Sequence, residues 1–533
     1  MKKATYFVIR AVPIFLGIML LGSCDKNLDI KPTQELESIF YQDEARVQRS
    51  VGSAYAGLAN IYGAKLRWAS CITPMLLPGD DIIADGTGNP FFTFSGLNST
   101  NGSIEEYWKR LYIIIGRCNF VLDKLEEPEV QAVYETPGLM EANRGEMLFL
   151  RSWCYFRLWD WWRKAPIQKE RISTLEDAYL PPTEGFEMLD NAIASLEEAA
   201  GLLPDSWDTE NLGRVTKNSA YGLLVRLHVL RACYNNASND DYQNAIDAFN
   251  NISGSAQLVH FGENFDYRYE NNAESLFEYQ ASHAPFRDNP WLDNDFGGDV
   301  GQMGAFWHMF TNHWTNYHSG SMGPSPKLRK AFEPGDPRQS ETFRDTANLD
   351  DLGGSLGWVV KWDKYEGHAF VKYVNGERGN AFDPTWNITN LNNPRLLRLA
   401  DVKLLAAEAY LATGNAGEAL TQVNDIRKRA RESTPDETVS PVPADLASVT
   451  MDDIMHERLL ELAGEDGIRW TDLRRWHAAG YIDLGSWTTE DFGFPYDPAL
   501  FEYEVPKHLL YPIPNSEIDR NPLMLEAGNN PGY

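Results

Sequence analysis

The sequence predicts a mostly helical protein that carries one long irregular lobe. Three observations predict it: amphipathic runs recur along the 533 residues, small residues recur at helical spacing inside some of them, and Gly, Asn, Pro and aromatic residues displace the helical pattern over two stretches. Helical patterning begins at Ala45 and returns over 103–126, 141–163, 185–202, 216–235, 241–251, 396–412, 416–432 and 450–465. Within 398–431, Ala406-Ala407-Glu408-Ala409-Tyr410-Leu411-Ala412 runs into a Gly414-Asn415 turn and then Gly417-Glu418-Ala419-Leu420. Small residues at that spacing let two antiparallel helices approach closely, as in a tetratricopeptide unit. The pair 216–235 and 241–251 repeats the idea with Ala220, Gly222, Tyr242, Ala245 and Ala248. Neither carries the full consensus, so the expectation is a scaffold of stacked helical hairpins.

The two irregular stretches are 77–101 and about 255–395. The first holds Pro78-Gly79-Asp80-Asp81, Gly86, Gly88, Pro90 and three Phe; the second holds Asp288-Asn289-Pro290-Trp291, Phe296-Gly297-Gly298 and Leu352-Gly353-Gly354. Excursions this long inside a helical frame are usually functional. The chain has 16 Trp, 24 Tyr and 25 Phe, so flat aromatic surface is plentiful. A sugar ring offers C–H faces to such a plane and hydroxyls around its rim, so a glycan site needs aromatic platforms edged by Asn, Asp, Arg or Gln. Trp291, Trp307, Trp314 and Tyr317 lie among Asn289, Asp293, Asn312 and Asn316; Phe92, Phe94 and Asn98 lie in the other stretch. Trp108, Trp153, Trp159, Trp161, Trp162, Trp470 and Trp476 fall on helical runs and are expected to be core.

Charge narrows the partners. The formal net charge is −28, and −31 without residues 1–23, which hold Lys2, Lys3 and Arg10 and no acid. Such a surface repels phosphate backbones and anionic lipid head groups, which argues against nucleic acid and requires any membrane attachment to be covalent or inserted. Residues 1–10 form a basic n-region, and Ala11 to Leu21 an apolar core too short to span a bilayer. Leu21-Gly22-Ser23-Cys24 then resembles the lipobox of bacterial lipoproteins, which implies cleavage before Cys24 and acylation of that residue. Several acyl chains anchor stably where one is marginal. Residues 24–44 read as the lipidated tether and 45–533 as the folded domain.

Taken in order, the motifs resemble the SusD/RagB family of surface lipoproteins from Bacteroidota. They are the lipobox with Leu28-Asp29-Ile30-Lys31-Pro32-Thr33; Arg144-Gly145-Glu146 through Arg151 to Ala165-Pro166; Gly213-Arg214-Val215-Thr216-Lys217; Arg398-Leu399-Ala400-Asp401 with Asn424 to Ala430; Glu457 to Trp476; and Tyr511-Pro512-Ile513-Pro514 with Asn529 to Tyr533. The resemblance implies a SusD-like fold, a tetratricopeptide-like hairpin scaffold whose loop-rich lobe (about 77–101 and 255–395) binds glycan. It also implies outer-membrane, cell-surface placement by the lipid anchor, with delivery of oligosaccharide to a SusC-like TonB-dependent transporter and no catalysis or cofactor. Arg67 and Trp68 precede the segment that, in the family, leads into binding residues. The starch-binding archetype has a tryptophan pair after that acidic segment; here the place reads Ile82-Ile83-Ala84-Asp85-Gly86, with Phe92 and Phe94 as substitutes and Asp85 as a polar neighbour. Peptide cargo on the same scaffold, and a secreted helical glycosidase, are the alternatives.

Other constellations have structural readings. Glu457, Glu461 and Glu465 share one helix face beside Arg458, Arg469, Arg474 and Arg475, a pattern that builds ion-pair networks more often than active sites. Asp401 and Glu408 would need Arg395, Arg398 or Arg427 nearby. His308, His313 and His318 recur every five residues, a step of roughly 140° on a helix, which gathers no metal site. Asp80-Asp81 with Asp85 lacks the spaced oxygens of a calcium loop. Cys71, Cys118, Cys154 and Cys233 lack CxxC spacing, so buried free thiols are expected, with a disulfide as the alternative.

Overall fold

The computed structural model describes residues 40–62, 71–84, 88–281, 322–345, 368–373 and 392–533. Ten helices of twelve residues or more carry these parts. They are α1 Glu44–Ala56, α2 Gly102–Leu125, α3 Leu139–Trp162, α4 Glu187–Leu202, α5 Lys217–Tyr234, α6 Asn239–Asn250, α7 Leu399–Ala412, α8 Ala416–Arg431, α9 Met451–Leu462 and α10 Ile468–Ala479. Many starts are fixed by a side chain that takes an otherwise orphaned backbone N–H. Asn101 accepts from Ser103 and Ile104 at the head of α2, and Thr216 with Ser219, and Thr450 with Asp453, form capping boxes on α5 and α9.

From α1 to α8 each helix packs on the next, with α5 and α6 each touching α7 as well. The α7–α8 link is only Thr413-Gly414-Asn415, and Gly414 adopts φ +83, which a side chain would resist. These stacked hairpins are the scaffold the sequence predicts. α3, α5 and α7 are buried on nearly every face, with Trp153, Trp159, Trp161 and Trp162 inside the core, so a simple amphipathic stripe is absent there.

Among the described residues, three short antiparallel ladders interrupt the helices. β1 (Ile82–Ala84) pairs with β3 (Met322–Pro324), β2 (Ser275–Glu278) with β6 (Arg395–Arg398), and β4 (Phe343–Asp345) with β5 (His368–Phe370). Two expectations change here. The run read as helical from 396 begins as β6, because Arg395–Arg398 are all buried and extended against β2; α5 approaches that ladder so closely at Gly222 that a Cβ would meet Leu276 at 2.7 Å. The run 450–465 stops at Leu462, and a separate helix, α10, follows it.

The charges on this last segment form a buried seam. Arg398 reaches Glu274 (2.7 Å), Glu461 (2.6 Å) and Glu465 (2.7 Å). Arg429 joins Glu274 and Glu461, Arg338 joins Asp336, Glu457 and Glu461, and Lys372 joins Glu465. Asp401 is held by Arg226 and Arg458, and Glu408 by Arg475. The arginines nominated from sequence for these two acids serve others: Arg395 faces Glu278, Arg398 the seam, and Arg427 Glu457. Proximity along the chain misled, because the true partners lie up to 175 residues away.

Candidate functional site

The ladders fix where the irregular segments are rooted. Ala84, the last described residue before position 85, pairs with Met322, the first after position 321. The first irregular stretch is therefore paired with the middle of the second at this ladder. Phe343↔Phe370 and Asp345↔His368 likewise join the two flanks of 346–367, and β5 also packs on β3.

Asp80 and Asp81 clamp this root to α10. Asp80 pairs with Arg469 (2.5 Å) and Lys327 (2.6 Å), and its carbonyl accepts from Ser325 Oγ (2.6 Å). Asp81 Oδ2 accepts from the Gly464 N–H (2.8 Å), and its carbonyl from the Ser325 N–H (2.9 Å). Burial disfavours both anions. For Asp80 the two cations outweigh it and bring the carboxyl down to about 2; for Asp81 burial and the Asp80 charge push it up to about 6. The pair is thus engaged in structure, and among the described residues no group of three or more His, Cys, Asp or Glu side chains is placed to hold a metal ion.

Phe92 and Phe94 require correction. They are 4% and 2% exposed. Asn89 caps a short turn, Pro90–Thr93, and Phe94 closes it at φ 59. That left-handed conformation is unusual for a bulky residue, and a cage of rings holds it: Trp470 at 5.8 Å, Phe501 at 5.5 Å, Tyr503 at 4.9 Å and His508 at 5.3 Å between centroids. Phe92 sits 5.0 Å from Phe494 and 6.1 Å from Tyr496. Both are packing rings, closed to a sugar face. Asn98 is exposed and builds its own turn, accepting from the Thr100 N–H at 2.9 Å. Cys24, Arg67, Trp68, Asp85, Trp291, Trp307, Trp314, Tyr317 and the three histidines at 308, 313 and 318 lie outside the described residues.

A contribution from the C-terminal part was missed. The Tyr496 hydroxyl donates to the Ala84 carbonyl at 2.9 Å, and Lys327 sits 4.3 Å over the partly exposed Trp487 ring. Trp487, Phe492, Phe494, Tyr496, Phe501 and Tyr503 thus pack on Lys327, Ala84, Phe92 and Phe94. The signal was there as six aromatics within 487–503, but their partners lie far upstream. Glu457, Glu461 and Glu465 are all engaged in ion pairs; burial opposes the Glu461 anion, yet Arg429, Arg398 and Arg338 hold it well below the usual range. Cys71, Cys118, Cys154 and Cys233 are buried free thiols, with Cys118 and Cys233 pushed up by burial to about 12.

Comparison with known proteins agrees with this architecture. Residues 28–229 match the family described as starch-binding associating with outer membrane, and residues 359–533 match the SusD family. The SusD-like protein P25 of Formosa agariphila is 24% identical over 98% of both chains, and a SusD-like protein of Bacteroides ovatus 22% over 82% of this chain and 83% of that one. In fold, the chain is similar to a laminarin-binding SusD-like protein (TM-score 0.71, 22% identity, 92% of this chain and 100% of that one). It is equally similar to a SusD homolog from Bacteroides thetaiotaomicron (TM-score 0.72, 18% identity, 94% and 99%). Ordered motifs, stacked hairpins and matches at both ends converge: the chain belongs to the SusD-like family.

Proposed function

We propose that this protein captures glycans at the cell surface, anchored in the outer membrane through acylated Cys24, and delivers oligosaccharide to a SusC-like TonB-dependent transporter without cleaving it. The observation that supports the reading is the β1–β3 pairing, which sets Ala84, just before Asp85, beside Met322, the first described residue after the stretch that holds Trp291, Trp307, Trp314 and Tyr317. Stacking on those rings, with Arg67, Trp68 and Asp85 at the rim, supplies the recognition. Membership of a family described as starch-binding and outer-membrane-associated, and likeness to a protein named as laminarin-binding, support saccharide cargo. Ion pairing of Glu457, Glu461 and Glu465 supports binding without hydrolysis, because a glycosidase needs two carboxyl groups free to act across a bond. A glycan array probed with the chain from Asp25 onward tests the cargo, and a reducing-sugar assay on each hit tests for cleavage. Binding without release of reducing ends is expected; reducing ends, or displacement by peptides alone, would overturn the reading.

A further inference from the structure

On one flank of the helical scaffold, α2, α3, α4 and the chain after α3 line an open cleft of ≈ 640 Å³, within the ~300–1,000 Å³ range of small-molecule sites. One wall carries Arg151, which is only 9% exposed. Its charge is unusual in this molecule. The buried arginines of the seam each touch a carboxylate, whereas Arg151 has no carboxylate within ion-pair distance among the described residues. Its Nη1 donates to neutral oxygens, Asn119 Oδ1 at 2.9 Å and the Lys169 carbonyl at 3.2 Å, and its Nε is buried without an acceptor.

The remaining charges of the cleft sharpen this. Arg144 is closed by Glu126 and Glu198, each at 2.7 Å, and Arg171 faces Asp123 at 3.6 Å. Lys169 is exposed on the lip, with no carboxylate partner among the described residues, and Glu170 beside it is the one lining acid outside an ion pair. A different wall offers Asn191, whose Oδ1 is buried without a donor. A guanidinium taken out of water without a counter-ion is costly, and a planar oxyanion is the group its fork matches.

We propose that this cleft is a second ligand site, for an acidic saccharide whose carboxylate or sulfate group lies between Arg151 and Lys169. The proposal rests on the glycan-capturing reading for its ligand class, and on the cleft alone for its charge. Calorimetric titration of the chain from Asp25 onward with glucuronic acid, glucose 6-sulfate, glucose and sodium sulfate tests it. The acidic sugars are expected to bind at least tenfold more tightly than glucose or sodium sulfate. A response to only one of the two acidic sugars identifies the oxyanion and supports the site. Arg151→Gln and Lys169→Gln should each weaken that binding at least tenfold. Lys169 is exposed, so its variant keeps the test valid if Arg151→Gln fails to fold. Acidic sugars binding no better than glucose, sodium sulfate matching them, or Lys169→Gln retaining full affinity would overturn the proposal. Affinity for the array-identified glycan, measured on the same variants, should stay unchanged; failure of the parent chain to bind any array glycan would instead overturn the glycan-capturing reading.

Discussion

Two regions of this molecule bury arginines and use them differently. In the seam of α7 to α10, Arg398, Arg429, Arg338 and Arg458 each bridge two or more carboxylates, so the charges of distant segments close on one another. On the flank of α2 to α4, Arg151 lies against neutral oxygens beside a cleft. A closed network rewards only the fold; an open guanidinium has binding capacity left. The same contrast separates the aromatic rings. Those of 90–94 are enclosed by the C-terminal segment, whereas the glycan platforms are proposed on the stretch that ends just before Met322, the residue paired with Ala84.

The largest expected effect is in the seam. Arg398→Ala leaves Glu274, Glu461 and Glu465 facing one another without their shared cation, and should lower stability by about 3–5 kcal/mol in urea unfolding. A loss under about 1 kcal/mol would erase the distinction between the two regions. Phe94→Ala removes a ring caged by Trp470, Phe501, Tyr503 and His508, and should destabilise by up to about 3–5 kcal/mol. Glycan affinity per folded molecule should stay unchanged; a stable variant with weakened binding would restore Phe94 to the site.

Smaller effects separate the two clamp acids by pH. Asp81 is raised to about 6, so between about pH 4 and 6 the folded protein holds a proton that the unfolded chain has released, and stability falls as pH rises through that window. Asp81→Asn should abolish that slope and raise stability above pH 6 by on the order of 1–3 kcal/mol, read as the urea midpoint at pH 4.5 and 7. Asp80 has the opposite sign: lowered to about 2, it contributes stability above pH 4 that is lost as pH falls towards 2. Smallest of all, Arg151→Gln should change stability by less than about 1 kcal/mol, because relief of a buried charge without a counter-ion offsets the loss of two hydrogen bonds to neutral groups.

Much of the scaffold was legible because helical periodicity is local. The run read as 141–163 is α3 at 139–162, and that read as 416–432 is α8 at 416–431. What escaped depends on contacts between distant residues. Nothing near Arg395–Arg398 announces that it pairs with β2, more than a hundred residues earlier. Phe92 and Phe94 beside Asn89 have the composition of a sugar platform, and only rings some four hundred residues later make them core. Asp401 and Glu408 were rightly read as needing arginines, but which ones was set by how α5, α9 and α10 pack on α7.

The affinity of the chain from Asp25 onward for an array-identified glycan, compared with its Trp291→Ala and Trp314→Ala variants, tests glycan capture by the loop lobe most directly. Loss of a stacking ring is expected to weaken binding tenfold or more for at least one variant, with unfolding midpoints unchanged, if aromatic stacking supplies the recognition as proposed. Full affinity in both variants would contradict the account.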